Sequence, residues 1–285
     1  MYIDNIVIEI TRRCNMTCPH CLRGDAENVT ISDKILDRFF FKNRGNDIGT
    51  LTFTGGEPSL APSRIQTVIR YARMYHVTFN QFYMVTNAKK LSRVFISALL
   101  DLYQACGSPE DSYVNYSNDK FHRFVDGYEV GSVPLDVRKL EVFNFFKGGK
   151  DNEKYPLDWF NLLDEGRSRE DSLGSREVNL HPYTVEEDRV TDESLYLNAL
   201  GKILPSCDLS YESQRHPSLI LGDVFDDDFN LLEYAKRWNR RIETVRARRG
   251  NDETTVSEVV EIVFEPNGEV DDSRNITVKE IKEAA

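Results

Sequence analysis

Asn5-Ile-Val-Ile-Glu-Ile-Thr11 is followed, across Arg12 and Arg13, by Cys14-Asn-Met-Thr-Cys18-Pro-His-Cys21. The first run reads as a β-strand, so the three cysteines leave its C-terminal end on one loop. In barrels of parallel strands that is the face where sites are built. Three of the five cysteines fall within eight residues, unlike the even, spread set of a secreted disulfide framework, which favours metal binding in a reducing compartment. Three thiolates can serve three irons of a cubane cluster, and the motif has no fourth cysteine, so the fourth iron is left for an exogenous ligand. A zinc knuckle needs four closed ligands, and His20, between two of the cysteines, could serve only awkwardly.

Outward from this loop, strand-like runs alternate with helical spacing through the first two thirds of the chain, the pattern of βα units around a parallel sheet. Strands are expected near Asn5–Thr11, Thr50–Thr54, Gln81–Thr86, Ser112–Ser117, Trp159–Leu163 and Glu177–Leu180. Helices are expected over Ser32–Asn43, Ser63–Tyr75, Ser92–Ala105 and Pro134–Phe146, with Ser32, Ser63 and Ser92 as N-caps. Six such units predict an open, partial (β/α)6 barrel of the α/β class over residues 1–190. The pattern breaks after about Pro182. Residues 191–285 read as a small α+β C-terminal extension: a hairpin from Leu195–Leu200 through Gly201 to Lys202–Leu204, a long helix over Asp226–Arg248, and a late strand over Val256–Phe264.

Composition agrees with a chain that folds in the cytoplasm. Its 285 residues, 40% hydrophobic and 11% aromatic, suffice for one barrel-sized core. No apolar run approaches the roughly 20 residues that span a bilayer, and the N-terminus lacks a signal peptide's basic start and long apolar stretch. The net charge of −11, from 47 acidic against 36 basic residues, disfavours a broad grip on a nucleic-acid backbone. The basic run of Arg237, Arg240, Arg241, Arg246, Arg248 and Arg249 reads as a solvated helix face.

Further polar groups recur at the ends of the expected strands. Gly55-Gly56-Glu57-Pro58 ends the second, where two glycines let the backbone approach a ligand that any Cβ would exclude. Thr86-Asn87-Ala88 ends the third and Ser117-Asn118-Asp119 the fourth, with His122 just beyond, facing cofactor or substrate or simply packing. Arg12 and Arg13 could face a negative centre or solvent. Cys207 is either a small buried hydrophobe or a thiol that donates a hydrogen or carries a covalent intermediate.

The C-x3-C-x2-C loop after a first strand, with Gly55-Gly56-Glu57-Pro58 behind it, resembles the radical S-adenosylmethionine superfamily. The resemblance implies a 4Fe-4S cluster on Cys14, Cys18 and Cys21 whose open iron is chelated by S-adenosylmethionine. Reductive cleavage would then give methionine and a 5′-deoxyadenosyl radical that abstracts hydrogen from substrate. By the same resemblance His20 sits where the family places an aromatic against adenine, and Gly55, Gly56, Glu57 and Pro58 contact the amino group. Thr86 and Asn87 match a T-N-G position, with Ala88 in place of the glycine, and Ser117 with Asp119 matches an S-x-D motif at ribose. The segment Leu195–Glu212 with Leu221-Gly222-Asp223-Val224 looks like the extension called SPASM or twitch. That extension holds auxiliary clusters, for which Cys106 and Cys207 are too few.

The expected protein is therefore a radical enzyme with one cluster, fed by a low-potential donor such as a flavodoxin or ferredoxin. A peptide is the first substrate expectation, and a nucleotide, nucleic acid or small metabolite the alternative. With thirteen residues before Cys14, no leader-peptide domain is expected, and a peptide is expected to need a partner or the C-terminal segment. An iron-sulfur electron carrier would need neither the Gly-Gly-Glu-Pro turn nor a barrel-sized chain, and a zinc module lacks its fourth ligand.

Overall fold

The computed structural model describes residues 1–89, 91–117, 124–125, 128–129 and 162–263. Four βα-type strands run parallel and adjacent: β1 (Tyr2–Thr11), β2 (Asp47–Gly55), β3 (Thr78–Thr86) and β4 (Tyr113–Tyr116). They are joined by α1 (Asp33–Lys42), α2 (Pro62–Met74) and α3 (Arg93–Ala105). Ser32 and Ser92 cap α1 and α3, their side chains accepting from the N–H groups of Ile35 and Phe95. Ser63 caps nothing: α2 starts at Pro62, whose fixed φ and missing N–H suit a first helical position.

The register explains why one face of this sheet is dry and the other wet. Ile6, Leu51 and Phe82 stand in one row across β1, β2 and β3, and Ile8, Phe53, Met84 and Val114 in the next. All are buried against the helices. Leu36, Phe39 and Phe40 of α1, at helical i, i+3, i+4 spacing, meet them. Alternation along each strand puts Asn5, Thr50, Thr52, Gln81, Tyr83 and Asn115 on the opposite face. These form a polar ladder, with Asn5 Nδ2 donating to Ser194 Oγ (2.6 Å), Thr52 Oγ1 to Asn5 Oδ1 (3.1 Å) and Gln81 Nε2 to Thr50 Oγ1 (2.8 Å).

The sheet is open, as expected of a partial barrel, but it grows from both sides of β1. After an antiparallel pair of β5 (Phe124–Val125) and β6 (Tyr128–Glu129) and the short α4 (Gly166–Glu170) come β7 (Thr184–Glu186), β8 (Arg189–Leu197) and β9 (Lys202–Leu204). β8 pairs parallel with β1, Asn5 opposite Ser194 and Ile8 opposite Leu197, and antiparallel with β7 and β9. The boundary between residues 190 and 191 thus falls inside β8. The hairpin at Gly201 is present, and β10 (Gly222–Asp223) adds to β9. The helix expected over Pro134–Phe146, and most of the strand expected at Trp159–Leu163, lie outside the described residues.

Two sequence expectations are corrected. Glu177–Leu180 is not a strand; it makes one bridge, Asn179 to Thr255, with Leu180 N–H donating to Thr254 O (2.7 Å). Val256–Phe264 is not a strand either, because Val256–Val263 form a helix, α6. Its valines stand at i, i+3, i+4, and Thr255 with Glu258 forms a capping box, each backbone N–H donating to the other's side chain. Between them α5 (Leu231–Arg249) buries Tyr234, Trp238, Ile242 and Val245, starts at an Asn230 cap and ends at Gly250 in left-handed conformation (φ 71°). Among the described residues no helix is long and apolar enough to cross a membrane.

Candidate functional site

The loop after β1 is fastened to the strand it leaves. Arg12 N–H donates to Val29 O (2.8 Å), Ile31 N–H to Ile10 O (3.1 Å) and Thr11 Oγ1 to Val29 O (2.9 Å). Tight turns follow, Cys21 N–H to Cys18 O and Gly24 N–H to Cys21 O, both 3.2 Å. They gather Cys14, Cys18 and Cys21 with Met16 into one small cluster of side chains. Burial pushes the Cys14 thiol up to about 11, partly opposed by the backbone hydrogen bond from Met16 and reinforced by Glu57 and the other two cysteines. Among the described residues no three His, Cys, Asp or Glu side chains converge on a single ion's position. A cubane cluster does not ask for that, since it spreads three thiolates over three irons, and the gathered loop fits it.

Arg12 is fully buried, while Arg13 is exposed. Arg12 Nε donates to Glu9 Oε1 (2.7 Å), Nη1 to Glu27 Oε2 (2.9 Å) and Nη2 to Gln214 Oε1 (2.6 Å), and its guanidinium lies 4.4 Å from the centre of the Tyr211 ring. Glu9 also accepts from Tyr196 Oη and from Ala199 N–H (3.0 Å). This buried network ties the root of the cysteine loop to β8 and to the segment after β9.

The end of β2 continues its pairing beyond the sheet, Gly56 N–H donating to Thr11 O (2.8 Å) and Glu57 N–H to Arg13 O (2.9 Å). A Cβ on Gly55 would stand 2.0 Å from Thr11 O, and one on Gly56 2.4 Å from Arg13 O. The glycines are thus required by the backbone of the cysteine loop, which fills the space that a methyl group would take, rather than by a ligand alone. Gly56→Ala is accordingly expected to lose iron together with S-adenosylmethionine binding. Full iron in reconstituted Gly56→Ala, with only the ligand weakened, would count against this reading.

Glu57, buried, accepts from Ser59 N–H (2.9 Å), Thr86 Oγ1 (2.6 Å) and Asn87 N–H (2.8 Å). It therefore locks the ends of β2 and β3 together. Asn87 Nδ2 donates to Asn15 Oδ1 (2.8 Å), reaching the cysteine loop, and Ser117 N–H donates to Thr86 O (2.9 Å). Ala88, where the resemblance has glycine, keeps the left-handed turn (φ 54°) at a cost of about 1 kcal/mol.

These groups line one cavity of about 360 Å³: Cys14, Cys18, His20 and Cys21 from the first loop, Gly55, Gly56, Glu57 and Pro58 from the second, then Thr86, Asn87 and Ser117. Cys207 reaches the same cavity. Asp119 and His122 lie outside the described residues. Sequence reasoning missed Tyr83, Arg23, Arg167 and Asp208 in the wall. Tyr83 was within reach, since it shares the wet face of β3 with Gln81, whereas nothing local marks Arg167. It arrives because Gly166 (φ 54°) packs against Gly24 and Leu22, and Arg167 N–H donates to Cys21 O (3.0 Å).

Burial and the neighbouring Asp208 push the Cys207 thiol up to about 11. It should alkylate at pH 8 about two orders of magnitude more slowly than an exposed thiol, because only the thiolate reacts. Mass-spectrometric labelling rates check this, and a rate equal to that of a free thiol would contradict it.

No family model matches the chain. A stretch of 73 residues is 33% identical to a GTP 3′,8-cyclase of Chlorobaculum tepidum, spanning 25% of this chain and 22% of that protein. Similar solved structures include native anSMEcpe with bound AdoMet and the Cp18Cys peptide, 13% identical over 84% of each chain, with a TM-score of 0.49. A polyhistidine-tagged anSMEcpe with bound AdoMet is 13% identical over 85% of this chain and 86% of that one, TM-score 0.46. Streptococcus suis SuiB bound to precursor peptide SuiA is 16% identical over 40% of this chain and 23% of its own, TM-score 0.28.

Proposed function

We propose that this chain, a member of the radical S-adenosylmethionine superfamily, holds one 4Fe-4S cluster on Cys14, Cys18 and Cys21 and cleaves S-adenosylmethionine reductively to start hydrogen abstraction from a substrate. The observation that carries the reading is the meeting of the cysteine loop, the Gly55–Pro58 turn and the strand ends at Thr86, Asn87 and Ser117 around one cavity. When bound, the cluster supplies the single low-potential electron that breaks a carbon–sulfur bond of the cosubstrate.

The chain's own residues bind and orient. Glu57, with its oxygens taken by Ser59, Thr86 and Asn87, holds the Gly55–Glu57 main chain at the cavity wall for the ammonium end of the ligand. His20 serves the adenine, and Ser117 with Asp119 the ribose. Cys207, in the cavity wall, and His122, on the sequence reading alone, are the candidate catalytic residues. A thiol whose burial keeps it protonated up to about pH 11 is suited to giving up a hydrogen atom and poorly suited to nucleophilic attack.

The substrate class we assign is a peptide or protein, on the resemblance of the Leu195–Val224 segment to a SPASM or twitch extension without its auxiliary cysteines. A nucleotide is the second reading, favoured by the partial match to a GTP cyclase. A reducing cytoplasm and a flavodoxin or ferredoxin donor complete the proposal. Anaerobic reconstitution should give about four irons per chain, and the reduced protein should release 5′-deoxyadenosine from S-adenosylmethionine. About eight irons would overturn the single-cluster reading, and zinc in place of iron would overturn the function.

A further inference from the structure

Two guanidinium groups in the cavity wall are not matched by carboxylates of the protein. Arg23 lines the cavity and is 8% exposed. Among the described residues its one side-chain hydrogen bond runs from Nη1 to Leu209 O (2.6 Å). A guanidinium offers five N–H donors and keeps its charge, and such a group is almost never buried unless paired. Arg23 also faces the Tyr196 ring, 5.2 Å from its centre, but Tyr196 gives its hydroxyl to Glu9, which Arg12 Nε already holds at 2.7 Å. One carbonyl and one ring face leave the Arg23 charge short of an anion.

Arg167 reaches the same cavity from a neighbouring backbone. Gly166 packs so closely on the Leu22–Gly24 main chain that a Cβ would stand 2.4 Å from Gly24 N, and Arg167 N–H donates to Cys21 O (3.0 Å). Its Nε is buried with no hydrogen-bond partner among the described residues. Its ion pair, Nη1 to Asp25 Oδ1 at 3.5 Å, is with a carboxylate 89% exposed, and water screens such a pair. Buried donors are nearly always partnered. An orphaned donor and an unmatched charge on one wall point to the same kind of ligand, an anion.

We infer that Arg23 and Arg167 together hold a carboxylate of the substrate, so that the peptide or protein this chain acts on presents an acidic side chain to the cavity. This rests on the function proposed above. Guanidinium forks take carboxylates and phosphates in paired N–H···O bonds. Asp208, exposed on the same wall, sets one carboxylate against the two guanidinium groups. The remaining surplus suits a singly charged carboxylate better than a multiply charged phosphate. Leu209, which orients Arg23, is two residues past Cys207, and Cys207 lines the same cavity. The anchored residue is thereby brought to the side of the cavity that carries the candidate thiol.

The test is isothermal titration of anaerobically reconstituted protein, with S-adenosylmethionine present, against the peptide Ac-Ala-Glu-Ala-NH2 and its neutral isostere Ac-Ala-Gln-Ala-NH2. Wild type is expected to bind the glutamyl peptide about ten-fold or more tightly, and Arg167→Gln to lose that preference with one charge-assisted pair removed. Arg23→Gln should behave alike, and if it fails to fold the decision falls to Arg167→Gln. Equal affinity for the two peptides, no binding of either, or a preference that survives in folded Arg167→Gln overturns the inference. Pyrophosphate bound more tightly than the glutamyl peptide, and lost in the same variants, overturns the carboxylate in favour of a phosphate. Variants that lose S-adenosylmethionine in place of the peptide give the pair to the cosubstrate and overturn the inference too. Failure of the proposed function is read separately, as wild type that takes up no iron.

Discussion

Cys18→Ala protein will emerge from anaerobic reconstitution without the brown colour of a cluster and will release no 5′-deoxyadenosine, yet it will remain folded. Cys18 is 7% exposed and packs as a small hydrophobe against Met16, so its loss costs on the order of 1 kcal/mol. The loop around it is held by backbone bonds to Val29, Ile10 and Thr11 and by Asn87 on Asn15, none of which passes through the thiol. What disappears is one of the three proposed ligands, and Cys106, at the end of α3 with its sulfur engaged with Leu102 O, does not stand in for it. Iron analysis, the optical spectrum and product chromatography check the result. A variant that kept four irons and cleaved the cosubstrate normally would end the assignment of this loop.

The largest effect on stability is expected at Arg12, which the sequence left undecided between a negative centre and solvent. Arg12→Met leaves the Glu9 carboxylate, 0% exposed, without its ion-pair partner in the interior. Breaking a buried pair from one side costs about 3–5 kcal/mol, a large part of the roughly 5–15 kcal/mol by which folded chains are stable. The urea midpoint of the metal-free protein should fall accordingly. Adding Glu9→Gln should recover part of the loss, since the two positions share one network. A single-variant cost below about 1 kcal/mol, the range of an exposed pair, would show that water reaches the pair.

The fold class and the lining of the cavity were legible because they rest on local signals. A strand ending in a C-x3-C-x2-C loop, Gly-Gly after a second strand and Thr-Asn after a third all place polar groups at the same edge of a parallel sheet. What escaped was either non-local or locally ambiguous. β8 beside β1 joins residues nearly two hundred positions apart, and only the long-range pairing of Asn5 with Ser194 settles it. The α6 segment carries four valines in eight residues, a β-like composition, and its helical character lies in the i, i+3, i+4 spacing and the Thr255–Glu258 cap. Gly56 was read for what it leaves open, whereas its neighbour is the carbonyl of Arg13. The burial of Arg12 depends on Gln214, 202 residues away, which no pattern near the arginine can indicate.

That same separation sets a timetable for synthesis. The root of the cysteine loop is sealed by Tyr211 and Gln214 and by a strand that begins at Arg189, so it cannot close until those residues have left the ribosome. At roughly 5–20 residues per second, the 202 residues between Arg12 and Gln214 take about 10–40 s to make. Throughout that interval one edge of β1 stands open and available to other chains, and the cysteines wait in an unfinished pocket. If the proposed cluster is held here, its insertion is expected to be a late event, and stalled nascent chains ending before β8 should take up no iron.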